Sequence, residues 1–419
     1  MINLGDVRRL KDAQISKGER WLYSADFNVV PRVDEEAEDI KRISEAGGIV
    51  LILAHQGRLK DGSAKTIEPM VQYLREKLGR EVLFSKLSTE ILLQEPRKLI
   101  AGDVVLMENV RLNKGEEKFD SEPTKKYDPE LAKKYSRLGS RVVIGGFGKA
   151  HRIEGSNVGL LDLIPGWLGT NHEVEMIKIA PWAGSDNETR KIILGPGLER
   201  KPYSIAVLGG IKKEKILDGL AGFVETYDYV IPGGIVLNTL LKNQIGDMGK
   251  SVIDDGGKTF ETETAEILKK HHDKIYIPDR VRILIKDENG VEKCIPADIS
   301  SLSSRQNFKI VDFYINGKAS YFLERTAIEG GRIVLAGTPG MFKQGYSMAT
   351  TVVLDYMNRP GVRAIALGGD TAKEVRDSGI PIRFETSSGG GSALYFLARG
   401  TTPVYDALII NKSRFSDAK

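Results

Sequence analysis

Four short apolar runs in the first half of the chain each stop at groups that bind anions or carry charge. "WLYSADFN" (21–28) ends in Asp26 and Asn28. "GIVLILAH" (48–55) ends in His55, with Arg58 just beyond. "DVVLMENVR" (103–111) ends in Asn109 and Arg111, and "RVVIGGFG" (141–148) leads to His151 and Arg152. One such pair is ordinary cap or surface chemistry. Repeated on one edge, they form a cationic cup for a small, multiply charged anion. Runs in the second half end instead in glycines: 209–210, 233–234, 368–369 and 389–391. Backbone without side chains lets a phosphorylated ligand come close. Lys212, just past one glycine pair, is a point charge for a transferring phosphoryl group. Asp370, followed by Thr371 and a helix, suits nucleotide-borne Mg²⁺ or plain capping of that helix. In "ETSSGGGSALYFL" (385–397), Ser387 or Ser388 would cap a helix whose positive end the glycines open to an anion.

Positioning these groups falls to alternating β-rich runs and longer helical patterns, the mark of βα units and parallel sheets. Helical patterns span 33–47 and 66–79. The second half offers strands at 203–210, 227–234, 274–279, 331–340 and 363–370, with Asn289-Gly290 and Asn316-Gly317 reading as hairpin turns. In such sheets ligands sit beyond the carboxyl ends of the strands, where the polar groups lie. The turn-rich stretch around 160–200 is the expected connection between domains, since 419 residues exceed one ordinary core.

Composition excludes several classes. Hydrophobic residues are 41% and charged residues 28%, with a net charge of +4 and no long basic run, so a nucleic-acid partner is not expected. Cys294 is the single cysteine, which rules out a disulfide framework within the chain and suits a reducing cytosol. The start, "MINLGDVRRLKDAQ", carries no apolar signal core, and no run of about 18 apolar residues suggests a membrane span. His271 and His272 lie in a charged run and read as solvated, and His172 gives no signal. "GDMGKS", "GGFGKAH" and "GGGSAL" each miss a glycine of the known nucleotide fingerprints, and no nucleophile elbow, zincin helix or CxxC pair occurs.

Taken together and in order, "ADFNV", "LAHQGR", "MENVRL", "GGFGKAHR", "AVLGGIKKEKI", "LGGDTA" and "SSGGGSAL" resemble the motifs of the phosphoglycerate kinase family, of which the chain looks like a divergent, archaeal-like member. The resemblance implies an α/β fold of two Rossmann-like three-layer domains with parallel sheets, joined by a hinge helix. It implies a 3-phosphoglycerate domain at 1–170, a linker at 171–200, a nucleotide domain at 201–400 and a segment, 401–419, packing back on the first. The implied reaction is phosphoryl transfer between 1,3-bisphosphoglycerate and Mg·ADP, giving 3-phosphoglycerate and Mg·ATP, in a cytoplasmic enzyme that is a monomer or a dimer.

Carried over, the acid would meet Asp26, Asn28, Arg32, His55, Arg58, Arg111, His151 and Arg152. Arg32, at the start of "RVDEEAEDI", would be the catalytic arginine and Lys212 the catalytic lysine, with Gly389 and Gly390 holding the phosphoryl group. The nucleotide would meet Gly210, Lys215, Gly233, Gly234, Gly337, Lys343, Gly369, Asp370, Thr371 and Gly391, with Asp370 near the metal. Departures gather on the nucleotide side. "LAGTPGMFK" (335–343) has Ala336 for an asparagine and Lys343 for the glutamate that meets the ribose. "GGIKKEKI" is one residue short, leaving Lys213 or Lys215 as the second lysine, and "ADISSLSSR" (297–305) stands for Asp-Ile-Gly-Pro-Lys. These changes keep two other readings open: a related kinase with another phosphoryl donor, or a non-catalytic binding relative.

Overall fold

The computed structural model describes residues 3–28, 30–59, 62–86, 98–117, 126–183, 192–195, 198–255 and 257–418. The chain divides into two compact units, Ile2–Lys178 with Thr401–Lys419, and Ile179–Gly400. The first division falls near the end of the helix Thr170–Ile179, inside the stretch read as the connection.

The first unit is built on a parallel sheet of β1 (Arg20–Asp26), β2 (Ile49–His55), β3 (Leu83–Ser85), β4 (Val104–Met107), β5 (Arg141–Ile144) and β6 (Gly166–Leu168), in the spatial order β3-β4-β2-β1-β5-β6. The central strands are buried on both faces, which is why they read as unbroken apolar runs. Strand order reverses about β1, and that switch leaves a crevice beyond the strand ends. Register then decides the chemistry, because Asp26 of β1 lies beside His55 of β2. The C-terminal helix Pro403–Arg414 is fixed to this unit. Asn411 Nδ2 donates to the Leu161 carbonyl at 2.6 Å, and Arg8 donates to Asn411 Oδ1 at 3.2 Å.

In the second unit, β7 (Ile192–Gly195) and β8 (Leu198–Arg200) pair antiparallel. A five-stranded parallel sheet holds β9 (Ser204–Leu208), β10 (Tyr229–Pro232), β16 (Arg332–Ala336), β17 (Arg363–Leu367) and β18 (Glu385–Ser387), ordered β10-β9-β16-β17-β18. Two short strands, β11 (Asp254–Asp255) and β12 (Lys258–Thr259), form a ribbon, and β13 (Arg280–Lys286), β14 (Glu292–Asp298) and β15 (Lys309–Phe313) form an antiparallel sheet. Its β13–β14 connection is the hairpin expected at Asn289-Gly290.

Two local readings fail. Residues 274–279 form no strand: Ile275 makes one isolated bridge to Val230, and the fifth strand is Glu385–Ser387. Asn316-Gly317 is not a hairpin but the start of the helix Gly317–Ile328, whose Ala319, Leu323 and Thr326 are buried at helical spacing. An Asn-Gly pair supplies positive φ equally well to a turn or to a helix entry, and the pattern after it decides. Among the described residues, no helix is long and apolar enough to cross a membrane.

Candidate active site

At the ends of β1 and β2, Asp26 is fully buried. Its Oδ1 accepts hydrogen bonds from the Asn28 backbone N–H at 3.1 Å and from Asn28 Nδ2 at 2.8 Å. Its Oδ2 pairs with the guanidinium of Arg32, which the helix Val30–Glu45 carries in its first turn. Burial resists this charge. The Arg32 guanidinium, the neighbouring His55 and the Asn28 donors outweigh it and hold the carboxyl at about 2. Asn28 Nδ2 also lies 2.7 Å from His55 Nε2. An amide nitrogen only donates, so Nε2 must accept, and Nδ1–H donates to the Ala25 carbonyl at 3.1 Å. His55 is therefore a neutral imidazole, in keeping with burial that pushes it down to about 4 against the pull of Asp26.

A second group lies around Arg111, whose side chain is 1% exposed. It donates to the Gly57 carbonyl at 3.1 Å and pairs with Glu154 and Glu117, each at 2.8 Å. Arg152 reaches the same Glu117 oxygen at 3.0 Å, and its Nε lies 3.4 Å from His151 Nε2. Gly57 joins the groups, because its N–H donates to Asn28 Oδ1 at 2.9 Å. Arg58 stays on the exposed loop, its backbone N–H bonded to Ser63 Oγ at 2.9 Å. The cup is thus not bare cation. Glu117 and Glu154, missed in the sequence, hold the guanidinium groups in place, and an incoming anion competes with Glu117 for two of them.

Beneath the cup is a charge that the sequence reading passed over. Lys149 is completely buried, and its Nζ donates to Ser24 Oγ at 2.6 Å; that hydroxyl donates on to the Ser156 carbonyl at 2.6 Å. Glu36 accepts from the Asp26 N–H at 2.9 Å and Glu116 from the Ser156 N–H at 3.1 Å. Burial lowers the Lys149 pKa, while Glu154, Glu116, Glu36 and Asp26 pull it back up. Burial, with Glu154 close by, pushes Glu116 up to about 7. A Cβ at Gly148 would overlap both the Asp26 carboxylate and the Arg32 guanidinium, so glycine at this position leaves room for that pair.

Three histidines of this unit each work against its stability in acid. Burial brings His55 to about 4, and His151 and His172 to about 3, from an ordinary 6.5. Between pH 6.5 and about 4 these side chains take up protons in the unfolded chain and refuse them in the folded one, so the histidine contribution to stability is lost as pH falls through that window. Each such group contributes about 1.4 kcal/mol per pH unit there. His172 packs edge-on against Phe147 with ring centroids 5.2 Å apart, outside both clusters. His172→Leu should flatten the slope of urea stability against pH by about one proton. An unchanged slope would assign the acid sensitivity to other groups.

The second unit shows what its glycines do. Cβ atoms at Gly209, Gly233, Gly234 and Gly337 would collide with backbone of neighbouring strand ends. These four glycines are required by the close packing of β9, β10 and β16, and Gly234 also lines the cavity described below. By contrast, Gly210 (φ +86°) and Gly369 face open space. Lys212 is exposed just past Gly210, and Lys215 is drawn down to about 8 by burial and by the Lys212 charge, which places those two lysines close together. The Lys213 N–H is bonded to Asp255 at 3.0 Å. Asp370 is exposed in the first turn of the helix Gly369–Asp377, and Thr371 is buried beside it. The helix Gly390–Arg399 starts at Gly389 with no side-chain cap, while Ser387 Oγ accepts from the Gly389 N–H at 3.1 Å. Serine capping of the helix is thus replaced by a serine bond to the glycine loop.

A cavity of about 250 Å³ opens beside Gly210, with walls that include Ile211, Leu237, Met341 and Phe342. Lys343 lines it, its Nζ 3.1 Å from Glu374 Oε1, while Thr338 Oγ1 donates to Glu374 Oε2 at 3.0 Å. Asp312, at the end of β15, also lines it and caps the helix Met348–Met357, accepting from the Met348 N–H at 2.6 Å. The segment 297–305, in contrast, ends β14 and forms a short 3₁₀ helix, and none of it lines this cavity. Asp312 was missed because it follows no glycine pair or motif, and Glu374 because, two residues beyond "LGGDTA" on a helix, an acid reads as solvated.

Two doubly wound parallel sheets, one with an anion cup and one with an apolar slot beside a glycine-rich edge, define a class of α/β phosphotransferase-like proteins. The comparisons narrow this. The model of the phosphoglycerate kinase family matches residues 11–400. The phosphoglycerate kinase of Thermosipho africanus is 32% identical, over 96% of this chain and 97% of that protein, and that of Thermus thermophilus is 30% identical, over 94% and 97%. The solved phosphoglycerate kinases of Coxiella burnetii and Pyrococcus horikoshii share the fold. Each has a TM-score of 0.68 at 22% identity, covering 99% and 97% of this chain and 100% of theirs. The chain belongs to the phosphoglycerate kinase family. It is accordingly an enzyme, a kinase with a nucleotide substrate.

Proposed function

We propose that this chain catalyses reversible phosphoryl transfer between 1,3-bisphosphoglycerate and ADP, giving 3-phosphoglycerate and ATP, in the cytoplasm and as a monomer. The observation that carries the reading is the first unit's cup. Its buried Asp26, neutral His55, Asn28 and paired arginines Arg32, Arg111 and Arg152 suit a small molecule bearing phosphate, hydroxyl and carboxylate. Asp26 and Asn28 would hold the hydroxyl, and Arg111, Arg152, His151, Arg58 and His55 the phosphate end. Arg32 would turn from Asp26 toward the transferring group.

In the second unit, Lys212, Lys215 and the N–H groups at 389–391 would receive the nucleotide phosphates. Among the described residues no cluster of three metal-ligating side chains occurs. A single exposed Asp370 suits Mg²⁺ carried largely by nucleotide oxygens and water. That ion would neutralise phosphate charge. The attacking group in the direction of ATP use is already a carboxylate, so no general base is needed, and catalysis reduces to positioning and charge neutralisation. A coupled assay with 3-phosphoglycerate and Mg·ATP tests the reading, with GTP and pyrophosphate as alternative donors. Turnover with ATP well above an Arg32→Ala control is expected, and none above that control would sink it.

A further inference from the structure

The Lys343–Glu374 pair lies at the rim of the apolar cavity of the second unit, on two elements far apart in the chain. Glu374 is held from both sides, by Thr338 at 3.0 Å and by Lys343 at 3.1 Å. A carboxylate has about four lone-pair sites, so each oxygen retains the capacity to accept another hydrogen bond. The Lys343 side chain is 61% exposed, and its ammonium carries three donors, one of them directed at Glu374. The pair thus presents an acceptor and a donor side by side at the cavity edge.

Glu374 also stands one turn after Asp370 in the helix Gly369–Asp377, about 6 Å along its axis. The first turn of that helix, beside Gly369, is where phosphate is favoured. A group next to Glu374 is then one sugar's length from phosphate on one side and against apolar walls on the other. Adjacent hydroxyls are the group that donates and accepts from neighbouring atoms. Resting on the nucleotide reading of this unit, we propose that Glu374 and Lys343 read the ribose diol and select ribonucleotides as the phosphoryl carrier. Glu374 accepts from the 2′-hydroxyl, and Lys343 fixes the carboxylate and donates to the neighbouring 3′ oxygen. A bare pyrophosphate donor would meet the Glu374 charge with nothing to offer it.

The test compares ADP with 2′-deoxy-ADP by calorimetry, and ATP with 2′-deoxy-ATP by kcat/KM, in the full-length protein and in Glu374→Ala, Glu374→Gln and Lys343→Met. Loss of a hydrogen bond to a charged group predicts that the unaltered protein prefers the ribonucleotide about 10-fold or more. Glu374→Ala should weaken ADP binding by about that factor and leave 2′-deoxy-ADP nearly unchanged, so the preference collapses. Glu374→Gln, which keeps the shape and loses the charge, should fall between. Lys343→Met should lose part of the preference. Equal losses for both nucleotides, or no preference in the unaltered protein, overturns the inference. The dissociation-constant ratio reads the pair whether or not phosphoryl transfer occurs. ADP binding without turnover would therefore sink the activity and still decide the inference, and no nucleotide binding at all would overturn both.

Discussion

Arg32→Ala should lower kcat for phosphoryl transfer by about 10³-fold or more, with a much smaller change in KM for 3-phosphoglycerate. At rest the Arg32 guanidinium is paired with Asp26, which keeps two other donors from Asn28. Losing the arginine therefore leaves Asp26 hydrogen-bonded, and the fold should survive. What disappears is a delocalised cation able to meet charge that develops on the transferring phosphoryl oxygens, a stabilisation realised mainly in the transition state. Arg32→Lys keeps a charge but not the planar fork, and should recover only part of the rate. Steady-state kinetics with a thermal-unfolding control decides the point. If Arg32→Ala stays within about tenfold of normal kcat, Arg32 is a binding group and the catalytic role passes elsewhere.

The second large effect concerns stability. Lys149→Met should destabilise the first unit by about 3–5 kcal/mol at pH 7, the range for removing one partner from a buried charge group. Lys149 is completely buried, and its field acts on Glu154, Glu116, Glu36 and Asp26. Methionine fills the space but leaves that negative charge uncompensated. The loss should shrink on acidification, because burial already favours the protonated forms of Glu36 and Glu116. Comparing variant with parent at each pH cancels the histidine contributions. Trp21 and Trp167, with ring centroids 5.0 Å apart in this unit, report its unfolding in urea in a Trp182→Phe background. A difference under about 1 kcal/mol that is flat in pH would mean Lys149 is no counter-ion.

Both effects depend on residues of very different visibility. Asp26, Asn28, His55 and Arg111 are legible because each follows a continuous apolar run, and parallel strands expose their carboxyl ends on one edge. Arg32 is legible from the motif it starts. Glu117, Glu154, Lys149 and Glu374 are not legible, since nothing in their immediate neighbours tells a buried acid or lysine from a solvated one. The same limit explains the glycines. A pair after a strand signals backbone crowding, yet the sequence does not say whether the crowding body is a ligand or the next strand end. At Gly209, Gly233, Gly234 and Gly337 it is the next strand end.

By itself the sequence determined the βα rhythm, the two sets of strand ends and the order of their motifs, because apolar periodicity and turn chemistry are local properties of the chain. The tertiary structure decided which charges meet. Lys343, read alone, turns an acceptor position into a cation; folded, it lies 3.1 Å from Glu374, and an acceptor returns to the same rim. Lys149, read alone, is a lysine between Gly148 and Ala150; folded, it is the buried counter-charge under the cup. Coulomb interactions depend on distance in space and on burial, and only the packed chain sets either one.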